Sequence, residues 1–204
     1  MKRVVLLALC CSVLTTGVFA LDNAAGGGVL YNLGFSNGTV DLAPYGKTNW
    51  EMSRNGFGAF GFFGLGRSLE FNIGFLYKNP NDLTADGEKI PLAGAGFEST
   101  QALQFGIYWK HPIPLNEQFV IFPTAGVDYE LTLGSSSNNS IMPTDWWDDL
   151  WLRAGVGLDT FFSETMFVRS HLIYGAAIPI GGDKDLGLSV GHGLLVKVGI
   201  GFMF

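Results

Sequence analysis

The last eleven residues of the chain alternate strictly between two kinds of side chain. Successive side chains of an extended strand point to opposite faces. One face of the segment 194–204 carries only Leu, Val, Ile and Phe, whereas the other carries two glycines and Lys197 between Leu195 and Met203. Such a strand suits lipid on one side and a crowded polar lumen on the other. The chain then ends on an aromatic residue, Phe204.

Composition points to a β-structure. The chain has 204 residues, enough for one large β domain, and only 15% of them are charged. Its 29 glycines are about twice the usual share of ~7%. Glycine weakens helices, so a helical bundle fits poorly. The formal net charge of −6 gives no reason to expect nucleic acid as a partner, because such proteins carry basic patches.

The first twenty residues have the layout of a secretory signal peptide. Two basic residues precede an apolar run that is short for a membrane-spanning helix and ends in a small-residue cleavage site at Ala20. We therefore predict a signal peptide at 1–20 and a barrel domain at 21–204. A lipoprotein signal that uses Cys10 or Cys11 is the alternative, although neither cysteine follows the expected pattern. Cleavage at Ala20 leaves a mature chain without cysteine.

Alternation with a period of two recurs about eight times, and each run ends in turn chemistry. The segment 55–65 has phenylalanines in both phases, so its facing is uncertain. Pro123 cannot donate to a ladder and predicts a bulge or a strand start. Long polar connections at 37–54, 79–98 and 135–149 alternate with short turns, so the long ones share one end. An even number of strands places both termini at the other, periplasmic end.

Volume decides which face points inward. The interior of an eight-stranded barrel is just wide enough for side chains to fill it. Large aromatics from eight strands would overfill that interior, whereas the glycine-rich face leaves room for long polar side chains. We therefore predict that the apolar face is outside. A soluble barrel with an apolar interior remains the alternative.

The inner face then carries charges of both signs, which a closed interior requires because an unpaired buried charge is costly. Strand register predicts that Asp159 pairs with Arg169 and that Glu130 lies close to Arg153. The alternative is that lumen water solvates each charge separately. The predicted lumen charge network comprises Glu70, Lys78, Lys110, Asp128, Glu130, Arg153, Asp159, Arg169, His171 and Lys197.

Patterns of catalytic or ligand-binding residues are weak. The histidines His111, His171 and His192 have no ligand-like spacing, so we expect no metal and no cofactor. Ser170 and His171 are neighbours in a strand and point to opposite faces, so a nucleophile and its base would not meet. We expect no enzyme. A lipid-modifying barrel hydrolase is the enzymatic alternative.

Three tryptophans lie near one end of the predicted barrel, and a fourth lies near the other. Trp146, Trp147 and Trp151 lie around a long connection, and Trp109 lies near a short one. Tryptophan is enriched where a membrane protein meets the headgroups, so we predict that these four form interface girdles. A recognition patch on an extracellular loop is the alternative for the first three.

These features resemble those of small eight-stranded bacterial outer-membrane β-barrels, in the size class of OmpX, OmpW and the OmpA transmembrane domain. The resemblance implies an all-β, closed, antiparallel, up-and-down transmembrane barrel in the outer-membrane bilayer. It also implies that the barrel assembly machinery recognises the last strand. The expected contributors to that signal are Val198, Ile200, Phe202 and Phe204.

Two functions fit such a barrel. The first is a surface-exposed structural or adhesive protein with a side-chain-filled lumen, whose long loops meet a host or surface ligand. The second is a narrow conduit or porin-like channel for small or apolar solutes. We expect the first, because eight strands leave little free lumen.

Overall fold

The computed structural model describes the chain in five stretches. The described residues are 23–41, 47–90, 99–135, 149–179 and 191–204. The predicted signal peptide, residues 1–20, lies outside them, and so do Trp146 and Trp147. No helix in the described stretches is long and apolar enough to cross a membrane.

The described residues form antiparallel strands that close into a ring. The strands are β1 (Ala24–Asp41), β2 (Lys47–Leu65), β3 (Leu69–Ala85), β4 (Glu88–Ile90), β5 (Thr100–Lys110), β6 (Ile113–Pro114), β7 (Phe119–Ser135), β8 (Asp149–Phe161), β9 (Met166–Pro179) and β10 (Gly191–Met203). The short strands β4 and β6 each pair with one neighbour, and the other eight form the ring. It closes where β1 pairs with both β2 and β10, so the predicted eight-stranded barrel is confirmed.

The register of the ring fixes its width. Following register partners once around the barrel from Gly34 of β1 leads back to Ala24 of the same strand. The stagger is therefore ten residues. With a rise of about 3.3 Å per residue and about 4.7 Å between strands, the strands tilt by about 40°. A barrel of this size has an interior that side chains fill.

The two faces of the strands separate as predicted. In β10, Val198, Ile200 and Phe202 are exposed on the outside, whereas Leu195 and Lys197 are buried inside. The same alternation runs through β5, β8 and β9. The apolar rows therefore form the outer surface of the barrel, and the charged rows lie in its lumen.

Strand β2 settles the facing of the segment 55–65. Phe57 is exposed on the outside, whereas Phe60 and Phe62 are buried in the lumen. Both faces of this strand carry aromatic residues because one lies on the outer surface and the other fills the lumen near the start of β1. The sequence pattern alone could not separate these two roles.

Strands extend into two of the predicted long connections. Strand β1 runs to Asp41 and β2 starts at Lys47, so most of the predicted connection 37–54 is paired backbone. Strand β3 continues to Ala85 and turns into β4 through Asp86 and Gly87, which have φ values of 49° and 84°. Positive φ at both central residues is typical of a type I′ turn, for which Asp-Gly is a preferred pair. The prediction overlooked this hairpin signal.

Pro123 lies inside β7, which begins at Phe119, so of the two predicted alternatives the strand start is wrong. Its carbonyl accepts a hydrogen bond from the His111 N–H at 3.1 Å, at the point where β5 ends and before β6 begins to pair. The register on the β8 side continues without a shift. The pairing is therefore interrupted on the other side of β7, between the end of β5 and the start of β6. At this gap no partner strand requires a hydrogen bond from the nitrogen of Pro123.

Candidate functional site

The predicted charge network lines the lumen, and all of its members are buried. Its ion pairs divide into two clusters at different heights. We name them after the predicted orientation, in which the end that carries Asn23 and Phe204 is periplasmic. The periplasmic cluster consists of Glu70, Lys110, Asp159 and Arg169. The extracellular cluster consists of Lys78, Asp128, Glu130 and Arg153. Each cluster contains two acids and two bases, so each is neutral.

Arg169 is the centre of the periplasmic cluster. Its Nε and Nη2 donate to the two carboxylate oxygens of Asp159 at 2.7 and 2.6 Å, in a bidentate pair. Its Nη1 donates to Glu70. Glu70 also accepts from the Lys110 Nζ at 3.2 Å and from the Asn72 Nδ2 at 3.0 Å. Bidentate, charge-assisted bonds of this kind are among the strongest in proteins.

The bond between Glu70 and Arg169 crosses the whole lumen. Glu70 lies on β3 and Arg169 on β9, and three strands of the ring separate β3 from β9 on either side. The two residues therefore start from opposite walls of the barrel and meet inside it. Side chains that join opposite walls obstruct the path along the barrel axis.

Three aromatic rings surround the Arg169 guanidinium. Its Cζ lies 4.6, 5.4 and 4.8 Å from the ring centroids of Phe62, Phe122 and Phe167. Glycines make room for two of these rings, because a Cβ at Gly157 would collide with Phe122 and one at Gly201 with Phe167. The rings fill the space that the ion pairs leave. The periplasmic end of the lumen is consequently packed.

The extracellular cluster spans four consecutive strands of the ring, β3, β5, β7 and β8. The Arg153 Nε lies 2.5 Å from the Asp128 Oδ2, and its Nη2 lies 3.3 Å from the Glu130 Oε1. Lys78 also pairs with Glu130. Neutral side chains add to this cluster, since the Tyr108 hydroxyl donates to Asp128 and the Gln104 Nε2 donates to the same carboxylate at 3.1 Å.

The structure brings together both pairs that register predicted, Asp159 with Arg169 and Glu130 with Arg153. The sequence argument omitted the neutral members of the network and the aromatic rings around Arg169. They were omitted because candidates were selected by charge. The sequence could have identified them, because they occupy the same inward-facing alternate positions of the strands as the charged residues. The omitted members are Phe62, Asn72, Gln104, Tyr108, Phe122 and Phe167.

Trp151 corrects one prediction. Its side chain is buried in the lumen, and its ring lies 4.3 Å from the Arg153 guanidinium carbon, so it does not belong to the interface girdle. The reason is parity, since Trp151 is two residues from Arg153 in β8 and must share its face. Trp109 lies outside, is exposed, and stacks on His111 with a centroid distance of 6.0 Å.

The remaining predicted residues lie on the outer surface or at its rim. Val198, Ile200, Phe202 and Phe204 are exposed on the outside. The Phe204 N–H donates to the carbonyl of Asn23 at 2.9 Å, so the start of β1 and the end of β10 meet at one rim of the barrel. Ser170 points outward and His171 is buried inside, as residues of opposite parity must.

Comparisons with known proteins identify the fold. No protein-family model and no curated protein matches the sequence. Among solved structures, the chain is similar to the outer membrane protein OprG from Pseudomonas aeruginosa, with a TM-score of 0.53 and 14% identity over 91% of this chain and 96% of that one. It is also similar to the outer membrane protein AlkL, with a TM-score of 0.49 and 12% identity over 93% of each chain.

The likeness to OprG is one of fold, and it agrees with the surface of the barrel. An exterior of exposed Val, Ile, Leu and Phe around a lumen of ion pairs suits a bilayer and not water. The chain is therefore an integral β-barrel of the bacterial outer membrane.

Proposed function

We propose that this barrel is a surface-exposed structural or adhesive protein whose lumen is filled by side chains and does not conduct along its axis. The observation that carries the proposal is the ion pair between Glu70 and Arg169, which joins opposite walls of the barrel. Phe62, Phe122 and Phe167 close the space around it. A solute would have to separate this pair and displace the rings.

The length of the first strands supports a role at the cell surface. Strands β1, β2 and β3 have 18, 19 and 17 residues, whereas about 9–11 residues cross a bilayer. These strands therefore continue beyond the membrane, where β3 also pairs with β4. Polar contacts cross this sheet, such as the bond from the Thr39 hydroxyl to the Asn49 side-chain oxygen at 2.8 Å. We propose that this extension presents a binding surface for a host or surface ligand.

We also propose that the barrel assembly machinery recognises β10. This strand closes the ring against β1, and its outer face carries Val198, Ile200, Phe202 and Phe204. An apolar row that ends in an aromatic residue is accessible until the barrel enters the bilayer. The row is thus available to a partner during assembly.

Conductance in planar bilayers tests the filled lumen. We expect the wild-type barrel to give no steady openings. The double variant Glu70→Ala/Arg169→Ala removes the crossing pair and should show measurable openings, provided that it remains folded by its mobility in unheated gels. Lys89→Ala removes an exposed ion pair of 3.0 Å and should behave as wild type. Steady openings of the wild type would overturn the proposal.

The second candidate is a narrow conduit for apolar solutes. It is favoured by four apolar side chains in the lumen, Leu30, Leu76, Ile173 and Leu195, which pack with Phe60 in one cluster. Uptake of an apolar dye by vesicles that contain the barrel would support this function. We propose no catalytic step for either function, because Ser170 and His171 point to opposite faces of β9.

A further inference from the structure

Lys197 lies between the two ionic clusters and belongs to neither. It is 1% exposed. Its Nζ has one hydrogen bond, to the Asn72 Oδ1 at 3.4 Å, and lies over the rings of Phe60 and Tyr108 at 5.5 and 4.9 Å from their centroids. Within the described part of the chain, no carboxylate pairs with it. Among the described residues, this buried ammonium group therefore has no carboxylate within ion-pair distance.

A count of buried charges leads to the same residue. The buried lumen residues include four carboxylates and five cations, and the cations other than Lys197 all contact carboxylates. Arg54 and Asp149, which are half-buried on the inner face, have opposite signs and leave the balance unchanged. The described lumen therefore carries one excess positive charge, and its position is Lys197.

His171 lies beside this charge and also lacks partners. It is the register partner of Lys197 on the neighbouring strand, and its side chain is 3% exposed. Neither ring nitrogen has a hydrogen-bond partner in the described structure. A neutral imidazole carries one N–H donor, and a buried polar group without a partner costs about 1–3 kcal/mol. His171 thus lacks any hydrogen-bond partner among the described residues, and the ammonium group of Lys197 has N–H donors beyond the one that bonds to Asn72.

We propose that Lys197 and His171 form a binding site for one small monovalent anion of the halide class. The anion would accept hydrogen bonds from the Lys197 Nζ and from one imidazole N–H, and it would make the lumen neutral. The rings of Phe60 and Tyr108 lie beside the Lys197 Nζ, and that of Phe122 lies beside His171, so we limit the proposed ligand to a single small ion. This site goes beyond the proposed surface function and does not depend on it.

Bromide is the probe that tests the site. Crystals of the refolded barrel grown with sodium bromide should show an anomalous peak in contact with the Lys197 Nζ and His171. Lys197→Met retains the length of the side chain without its charge and should lose the peak. The matched control Lys89→Met changes an exposed lysine and should keep it.

Unfolding in urea gives a second readout that needs no crystals. Ionic strength is held constant with sodium gluconate, whose anion is too bulky for the site. Above the dissociation constant, each tenfold increase in bromide should multiply the ratio of folded to unfolded wild-type protein about tenfold. Lys197→Met should lose this dependence, and Lys89→Met should retain it.

Three results would overturn the proposal. The first is a wild-type crystal with water and no bromide between the two side chains. The second is bromide stabilisation of Lys197→Met equal to that of the wild type. The third is equal stability of the wild type in bromide and in gluconate, which would mean that cation–π contacts alone stabilise the Lys197 ammonium group.

Discussion

Replacing Arg169 by leucine is the most direct perturbation of the periplasmic cluster. The substitution removes a bidentate pair with Asp159, a bond to Glu70 and the cation between three aromatic rings. Leucine is apolar and can contact the same rings. The variant therefore separates the electrostatic role of the side chain from its packing.

The expected cost follows from what the two acids retain. Glu70 keeps the Lys110 Nζ at 3.2 Å and the Asn72 Nδ2 at 3.0 Å, so it remains compensated. Asp159 loses both of its bonds to Arg169, and its side chain is 9% exposed. Removing one partner of a buried pair costs about 3–5 kcal/mol, because the other charge stays buried. We expect Arg169→Leu to lower the free energy of unfolding by about that amount.

The assay is reversible urea unfolding in lipid vesicles, followed by tryptophan fluorescence and by gel mobility. The double variant Asp159→Leu/Arg169→Leu is the control, because it removes both charges of the pair and should recover most of the loss. If the single variant unfolds within about 1 kcal/mol of the wild type, water solvates Asp159 and the reasoning fails.

Three further substitutions test other parts of the structure. Gly157→Ala places a Cβ against a buried ring and should cost about 1–3 kcal/mol in urea unfolding, whereas Gly134→Ala meets nothing within 4 Å and should cost nothing; equal effects would contradict the packed lumen. Brominated lipids should quench a variant with Trp109 as its only tryptophan, but not one with only Trp151; the reverse would place Trp151 outside. Deletion of Phe204 should slow insertion of the purified chain into vesicles that contain the assembly machinery, and an unchanged rate would refute its role.

Parity made the facing of the strands predictable. Once the strand that carries Val198 and Lys197 is assigned to a small barrel, the limited volume of the interior decides which face of the strand points inward. The same rule determines register across the short turn after Asp159, and so it places Arg169 opposite that carboxylate. These inferences need only neighbouring strands and the width of the barrel.

Contacts across the lumen were not predictable in this way. Glu70 and Arg169 are 99 residues apart in the chain. They meet because the stagger of ten residues around the ring places them at the same height along the barrel axis. That stagger depends on the register of all eight strands, whereas alternation within a strand is local. The position of Trp151 was predictable in principle, but the prediction placed it by residue type and not by its parity with Arg153.

The free energy needed to separate Glu70 from Arg169 explains why we expect no steady conductance in planar bilayers. Opening the lumen requires Arg169 to leave Glu70 and Asp159 while three rings also move aside. A cost of about 3 kcal/mol, the lower end for breaking a buried pair, leaves about one barrel in a hundred open at equilibrium. Such a barrel would show rare, brief events and no steady current. A conduit of this design would instead need either a weaker pair or a ligand that binds the open form more tightly by a similar amount.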